Sequence, residues 1–208
     1  MPKLDVIRIL GGEDMLVPKN QFSRSGKLMP EIRGQVFHYV GASKATAQNV
    51  ARYFGKDLPA QDPNDDIRDR YAGTHFAIGI DGHLIRMIPE DEVAYHVGAW
   101  TYQPGIEAKF SGYPNNYLLG TEMSHIDDTG KHSPATIQKA QWLGAYSAFI
   151  FGFHPYHDTY RHYDITGKIC PKWYVNNPDD WEEFKIGIVD KYHKIGIWYD
   201  RRRMNSVR

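Results

Sequence analysis

The sequence predicts an α/β fold, a central mixed β-sheet flanked by helices in a single domain, and three observations carry that prediction. Strand-like alternation in QVFHYV, Gln35 to Val40, soon gives way to apolar residues at helical spacing. The stretch THFAIGI, then Asp81-Gly82, then HLIRMI has the form of a β-hairpin, because Asp-Gly readily takes the positive φ angles of a type I′ turn. Two later apolar stretches begin with cap-and-proline signals for helices. Strands and helices interleaved in this way pack as helices on a sheet.

Taken in order, residues 1–34 are rich in Lys, Arg, Gly and Pro with little periodicity and are expected as an extended lead-in belonging to the domain. The strand from Gln35 ends near Gly41, and Ser43 is placed to cap a helix whose apolar stripe is Ala47, Val50, Ala51 and Phe54. Leu58 to Gly73 is polar with two prolines, hence a loop, and a second loop from roughly Ala99 to Asn116 is rich in Tyr, Gly and Pro. Long loops beside sheet edges commonly build a substrate groove. YLLGTEMS, from Tyr117, reads as another strand. Ser133 and Pro134 then start a helix running to about Phe151, with Ile137, Ala140 and Leu143 facing inward. Asn177 and Pro178 start the last helix, with Trp181, Phe184, Ile188 and Tyr192 along one face. The body of the domain is therefore expected at 35–195, with a basic tail at 196–208.

With 41% hydrophobic residues, including five Trp, nine Phe and 14 Tyr, a chain of 208 residues can bury one sizeable core. Its 25 basic and 25 acidic residues cancel, which removes the global field that would favour nucleic acid or an anionic membrane as a partner. No stretch approaches the ~20 apolar residues of a membrane span, so no membrane insertion is expected. The first residues lack the apolar segment of a secretory signal, so synthesis in the cytoplasm without a signal peptide is expected. The single cysteine, Cys170, excludes an internal disulfide.

That cysteine stands in HYDITGKICP, eight residues after His162. Together with His38 at a strand end, the pair offers the nitrogen and sulfur donors that zinc takes in tetrahedral geometry. Three protein ligands with a fourth position open are the form of a catalytic site, and one cysteine excludes a four-cysteine structural one. Gly167 lets DITGK turn back so that both ends reach one ion, which carries Lys168 close to it. Taken alone, a His and a Cys at this spacing equally describe a loop with a small buried hydrophobe.

Four blocks in order add a resemblance. HYDITGKICP, FHYVGAS at Phe37 to Ser43, THFAIGIDGHLIRMIPEDEVAYHVGAW at Thr74 to Trp100 and LLGTEMS at Leu118 to Ser124 resemble the zinc-dependent N-acetylmuramoyl-L-alanine amidase family. That family includes phage endolysins, bacterial cell-wall amidases and animal peptidoglycan-recognition proteins. The likeness is nearest to the endolysin and sporulation-autolysin branch and spans roughly residues 17 to 175.

The resemblance implies zinc as cofactor on His38, His162 and Cys170, Glu122 as the catalytic carboxylate, and Lys168 as the group that stabilises the tetrahedral intermediate. It implies bacterial peptidoglycan as substrate, cut between N-acetylmuramic acid and the L-alanine of the stem peptide; a monomer is expected, and the missing signal segment favours a phage endolysin that acts on the wall after release. Thr74 stands where another branch has a catalytic tyrosine, which shifts the weight to Glu122. Thr74, His75 and His96 are the candidate substrate contacts, although His75 alternates with Phe76 and suits a packing or orienting role as well. Tyr102, Tyr113 and Tyr117 offer ring faces to sugars, and Asp164 either orients His162 or caps the turn after it. Zinc lowers the pKa of bound water from about 16 toward about 7, and Glu122 is expected to take its proton as general base. The alternatives are a host sporulation or autolytic amidase, a non-catalytic peptidoglycan-binding module, and a domain with purely structural zinc. Cys170, Lys168 and Glu122 together favour the enzyme.

Overall fold

The computed structural model describes residues 5–62, 64 and 69–205, with 199–205 as backbone only. Outside these lie the first four residues of the lead-in, 63 and 65–68 of the polar loop, and tail residues 206–208. Six strands, β1 (Glu13–Asp14), β2 (Gly34–Tyr39), β3 (Phe76–Ile78), β4 (Leu84–Arg86), β5 (Leu118–Met123) and β6 (Thr159–Arg161), form one sheet in the order β1-β4-β3-β5-β2-β6. β3 and β4 run antiparallel and the other pairings are parallel, so the expected mixed sheet is what the chain builds.

Local chemistry explains where elements depart from expectation. The stretch before β2 is not simply extended: α1 (Val6–Ile9) is capped by the Asp5 side chain, and Val6 and Ile7 are buried in the main core. The helix after β2, α2 (Ala47–Arg52), is capped by Thr46 rather than Ser43. Thr46 accepts from the Asn49 N–H while the Asn49 side chain accepts from the Thr46 N–H, a reciprocal capping box. At Lys44 the backbone is still turning, at φ 57°, so Ser43 lies too early to cap. α2 continues as a π-helical turn over Tyr53–Asp57. In the β3–β4 hairpin, Gly82 takes φ 79° but Asp81 does not turn positive, and Gly79 and His83 close the loop. The connection is therefore a three-residue loop with glycine in the left-handed position, not the two-residue type I′ turn.

After the short α3 (Ile106–Lys109), α4 (Pro134–Phe151) starts at Ser133, whose hydroxyl accepts from the Thr136 N–H, and stops at Gly152 with φ 79°. Beyond β6 come α5 (His162–Thr166), α6 (Lys172–Asn176) and α7 (Pro178–Asn205). The main core lies between the sheet and α4 and α7, where Phe37, Leu119, Met123, Leu143, Phe184 and Ile188 meet. Burying a side chain such as Phe37 contributes about 1.5–3 kcal/mol. Because successive strand residues point to opposite faces, Val36 and Leu118 join a separate cluster with Phe110 and Ile165, and Val40 packs with Val50, Phe54 and Ile85 under α2. The same alternation puts His38, Gly120 and Glu122 on that second face, near the carboxyl ends of parallel strands. Open α/β sheets build their ligand crevices there. Among the described residues no helix is long and apolar enough to cross a membrane.

Candidate active site

Strand register assembles the site. His38 on β2 pairs with Glu122 on β5, which sets the two side chains side by side. Phe37 pairs with Arg161 on β6, so His162, the next residue and the first of α5, comes to lie beside His38. The expected turn in DITGK is this one short helix, closed by Gly167 at φ 80°. The chain then folds back: the Tyr163 N–H donates to the Cys170 carbonyl at 3.0 Å, and the Cys170 N–H donates to Lys168 at 2.7 Å.

That return brings three donors together. His38 Nδ1 lies 3.1 Å from His162 Nδ1 and 3.7 Å from Cys170 Sγ, and one ligand atom from each residue lies within 4.8 Å of the others. Zinc–nitrogen bonds of about 2.0–2.1 Å and zinc–sulfur bonds of about 2.3 Å at tetrahedral angles put neighbouring donors about 3.3–3.6 Å apart, so the set fits such an ion. All three side chains are buried. Burial pushes the Cys170 thiol up to about 12. It pulls His162 down to about 3, helped by Lys168, and His38 well below its ordinary range, helped by His162. Three buried donor atoms that face one another at these distances could hold a metal ion.

Glu122 stands next to this cluster. Burial lifts its carboxyl to about 8, against the opposing pull of Lys168 and then Arg70. Its Oε2 is buried without a hydrogen-bond partner among the described residues, which leaves it free to bond water or a ligand. A cavity of about 500 Å³ is lined by His38, Glu122, His162, Lys168 and Cys170, and also by Tyr53 and Phe54 of the π-helical turn that continues α2. A second cavity of about 550 Å³ adjoins it, lined by Tyr71, Tyr95, Tyr113 and Asn115, and Arg70, His96 and Lys168 border both.

The structure brings His38, His162, Cys170, Glu122 and Lys168 to one place, and it separates the other three expected site residues. His96 borders both cavities, with Nδ1 3.0 Å from His38 Nε2 and Nε2 2.9 Å from the Leu118 carbonyl. His75 is sealed beneath the floor: Nδ1 accepts from the Gly120 N–H and Nε2 donates to the Glu92 carbonyl, which leaves no ring nitrogen for a ligand. Thr74 is equally buried, and its hydroxyl has no partner among the described residues. Of the three tyrosines, Tyr113 lines the second cavity, whereas Tyr102 and Tyr117 pack on the Val36–Phe110 cluster. The Asp164 carboxylate accepts from the Arg161 N–H and guanidinium, so it caps α5. Sequence reasoning missed Arg70 and Gly120. Arg70 follows a polar stretch with no pattern, and Gly120 matters only because a Cβ there would lie 2.7 Å from the His96 ring.

Comparison with known proteins places this part of the chain in a family. The profile of the N-acetylmuramoyl-L-alanine amidase family matches residues 28–173. The chain is 31% identical over 181 residues to N-acetylmuramoyl-L-alanine amidase BlyA of Bacillus subtilis (strain 168), covering 84% of this chain and 46% of that protein. It is 29% identical over 169 residues to N-acetylmuramoyl-L-alanine amidase CwlL of Bacillus licheniformis, covering 81% of this chain and 44% of that protein. The chain thus spans less than half the length of these relatives. Its fold matches that of the catalytic domain of XlyA with a TM-score of 0.62 at 21% identity, over 84% of this chain and 97% of that one. A mutant endolysin from Bacillus subtilis matches with a TM-score of 0.64 at 21% identity, over 84% and 96%. The family profile runs from just before β2 to the start of α6 and so encloses His38, Glu122, His162, Lys168 and Cys170: the chain belongs to the N-acetylmuramoyl-L-alanine amidase family.

Proposed function

We propose that this chain hydrolyses peptidoglycan at the amide bond between the lactyl group of N-acetylmuramic acid and the L-alanine of the stem peptide, with zinc held by His38, His162 and Cys170. The observation that carries this reading is the convergence of three cation donors, Glu122 and Lys168 on one cavity. Zinc in that position supplies Lewis acidity, which makes water nucleophilic near neutral pH. Glu122 accepts the proton of the attacking water and returns it to the departing nitrogen. Its carboxyl, lifted to about 8 by burial, sits close to the working pH, and each positive charge beside it favours the ionised, proton-accepting form. The Lys168 ammonium faces the negative charge that grows on the carbonyl oxygen, a contribution of about 3 kcal/mol for a well-placed donor. The two adjoining cavities have room for sugar and peptide on either side of the scissile bond, and Tyr71, Tyr95 and Tyr113 offer ring faces to a glycan.

Release of dye from labelled bacterial walls tests the proposal. Metal-loaded protein is expected to release dye and a chelator to stop it; absence of release by metal-loaded protein would sink the enzyme reading. Binding to walls without release would identify a binding module instead. Glu122→Gln is expected to lower turnover by about 10²- to 10⁴-fold with zinc content unchanged.

A further inference from the structure

We infer that His96, seated on Gly120, is a positioning residue for the cation cluster: it fixes His38 with its proton on Nε2 and with Nδ1 bare toward His162 and Cys170. The inference rests on the metal-site reading above and deepens it, because it assigns His96 a task that neither substrate contact nor core packing requires.

The chain of hydrogen bonds has a fixed start. A carbonyl oxygen only accepts, so the contact of 2.9 Å between Leu118 O and His96 Nε2 requires a proton on Nε2. His96 is buried and its described hydrogen-bond partners are a carbonyl and another imidazole, not a carboxylate, so its ring is the neutral form with one proton. His96 Nδ1 is therefore an acceptor, and its partner at 3.0 Å, His38 Nε2, is the donor. An imidazole that ligates a metal is neutral and carries one proton, so with Nε2 donating, the Nδ1 of His38 is left as a lone pair. That lone pair lies 3.1 Å from His162 Nδ1 and 3.7 Å from Cys170 Sγ, where a shared cation would sit. A backbone carbonyl on β5 thus decides, two imidazoles away, which nitrogen of His38 can ligate. Groups that hold the far nitrogen of a metal-binding imidazole typically tune affinity in this way.

Two further features hold His96 in this role. Its backbone N–H and that of Val97 both donate to Asn115 Oδ1, at 3.1 and 2.9 Å, so the backbone beneath the ring is fixed from a buried side chain. The ring also lies directly on β5. A Cβ on Gly120 would come within 2.7 Å of His96 Cγ and 2.8 Å of Cδ2, and any side chain there lifts the ring off its carbonyl. Gly120 is therefore part of the seat.

Histidine-selective nitrogen NMR of the wild-type protein, stripped of metal, tests the relay directly. Both His38 and His96 are expected to carry their proton on Nε2, with a through-hydrogen-bond coupling between His38 Nε2 and His96 Nδ1. A His38 proton on Nδ1 would overturn the inference. The second readout is zinc affinity by competition with a chromophoric chelator. His96→Phe, which keeps the ring shape and removes both bonds, is expected to weaken zinc binding by about 10- to 100-fold. His96→Gln, which can still accept and donate, is expected to recover part of that loss, and Gly120→Ala to reproduce it without adding to it in the double variant. Folded His96→Phe that binds zinc as tightly as wild type would refute the role. Wild-type protein that binds no zinc would refute the metal site instead, while the NMR result still decides the hydrogen-bond chain.

Discussion

In the proposed mechanism Glu122 and Lys168 meet the reacting atoms from opposite conditions, one partly buried with an oxygen unpartnered among the described residues, the other exposed at the rim. Removing the ammonium therefore costs rate without disturbing the fold: Lys168→Met is expected to lower kcat by about 10²-fold while zinc content and unfolding midpoint stay at wild-type values. Steady-state release from labelled walls, with metal analysis of the same sample, checks it. That His38, His162, Cys170, Glu122 and Lys168 come together was legible in the sequence because each stands in one of the blocks that carry the resemblance; apart from the single cysteine, their residue types alone would not have singled them out. The task of His96 was not, since its partners are a backbone carbonyl and a ring nitrogen 58 positions away, neither of which any letter of the sequence records.

Between residues and the whole, His75 works as a tie between elements. It joins β5 to the segment after β4 through Gly120 and Glu92, and its backbone carbonyl accepts from Met87 at 2.8 Å. The bond that Nδ1 accepts from the Gly120 N–H needs the neutral form, and burial holds the pKa down to about 4 against the opposing Glu92 carbonyl. An unfolded histidine titrates near 6.5, so the unfolded chain binds the extra proton first. The stability from His75 is then full above about pH 6.5 and lost as pH falls toward about 4, a change of about 3 kcal/mol. Urea unfolding at neutral pH and near pH 4.5 is expected to show this loss, and His75→Gln to show less of it. Helix starts follow simpler rules: Ser133 accepts from Thr136 and donates to the Ile80 carbonyl at 2.6 Å, so Ser133→Ala is expected to cost about 1–2 kcal/mol in the same assay. Elements with a cap and a period, such as α4 and the start of α7, were readable. β1 and β6 were not, because strands of two and three residues are too short to carry an alternation.

At the scale of the molecule, the site joins segments that the chain keeps far apart, with 124 positions between His38 and His162. Under the proposed metal reading a cation bound there binds the native state and not the unfolded chain, so zinc at a thousandfold excess over its Kd is expected to add about 4 kcal/mol of stability. A chelator should lower the melting temperature of the wild type and leave His38→Ala unaffected; equal melting curves with and without zinc would contradict a site on these ligands. The fold class was legible as a whole because strand and helix signals interleave, whereas strand order was not, since it is set by pairings between distant segments. The order in turn fixes what the sheet shows to its neighbours. Its long strands, β2 and β5, are interior, and its borders are β1, two exposed acidic residues, and the three-residue β6. A foreign strand seeking free backbone groups finds only a stub at either border, and at one of them a charged stub, so concentrated protein is guarded against aggregation by edge-to-edge pairing.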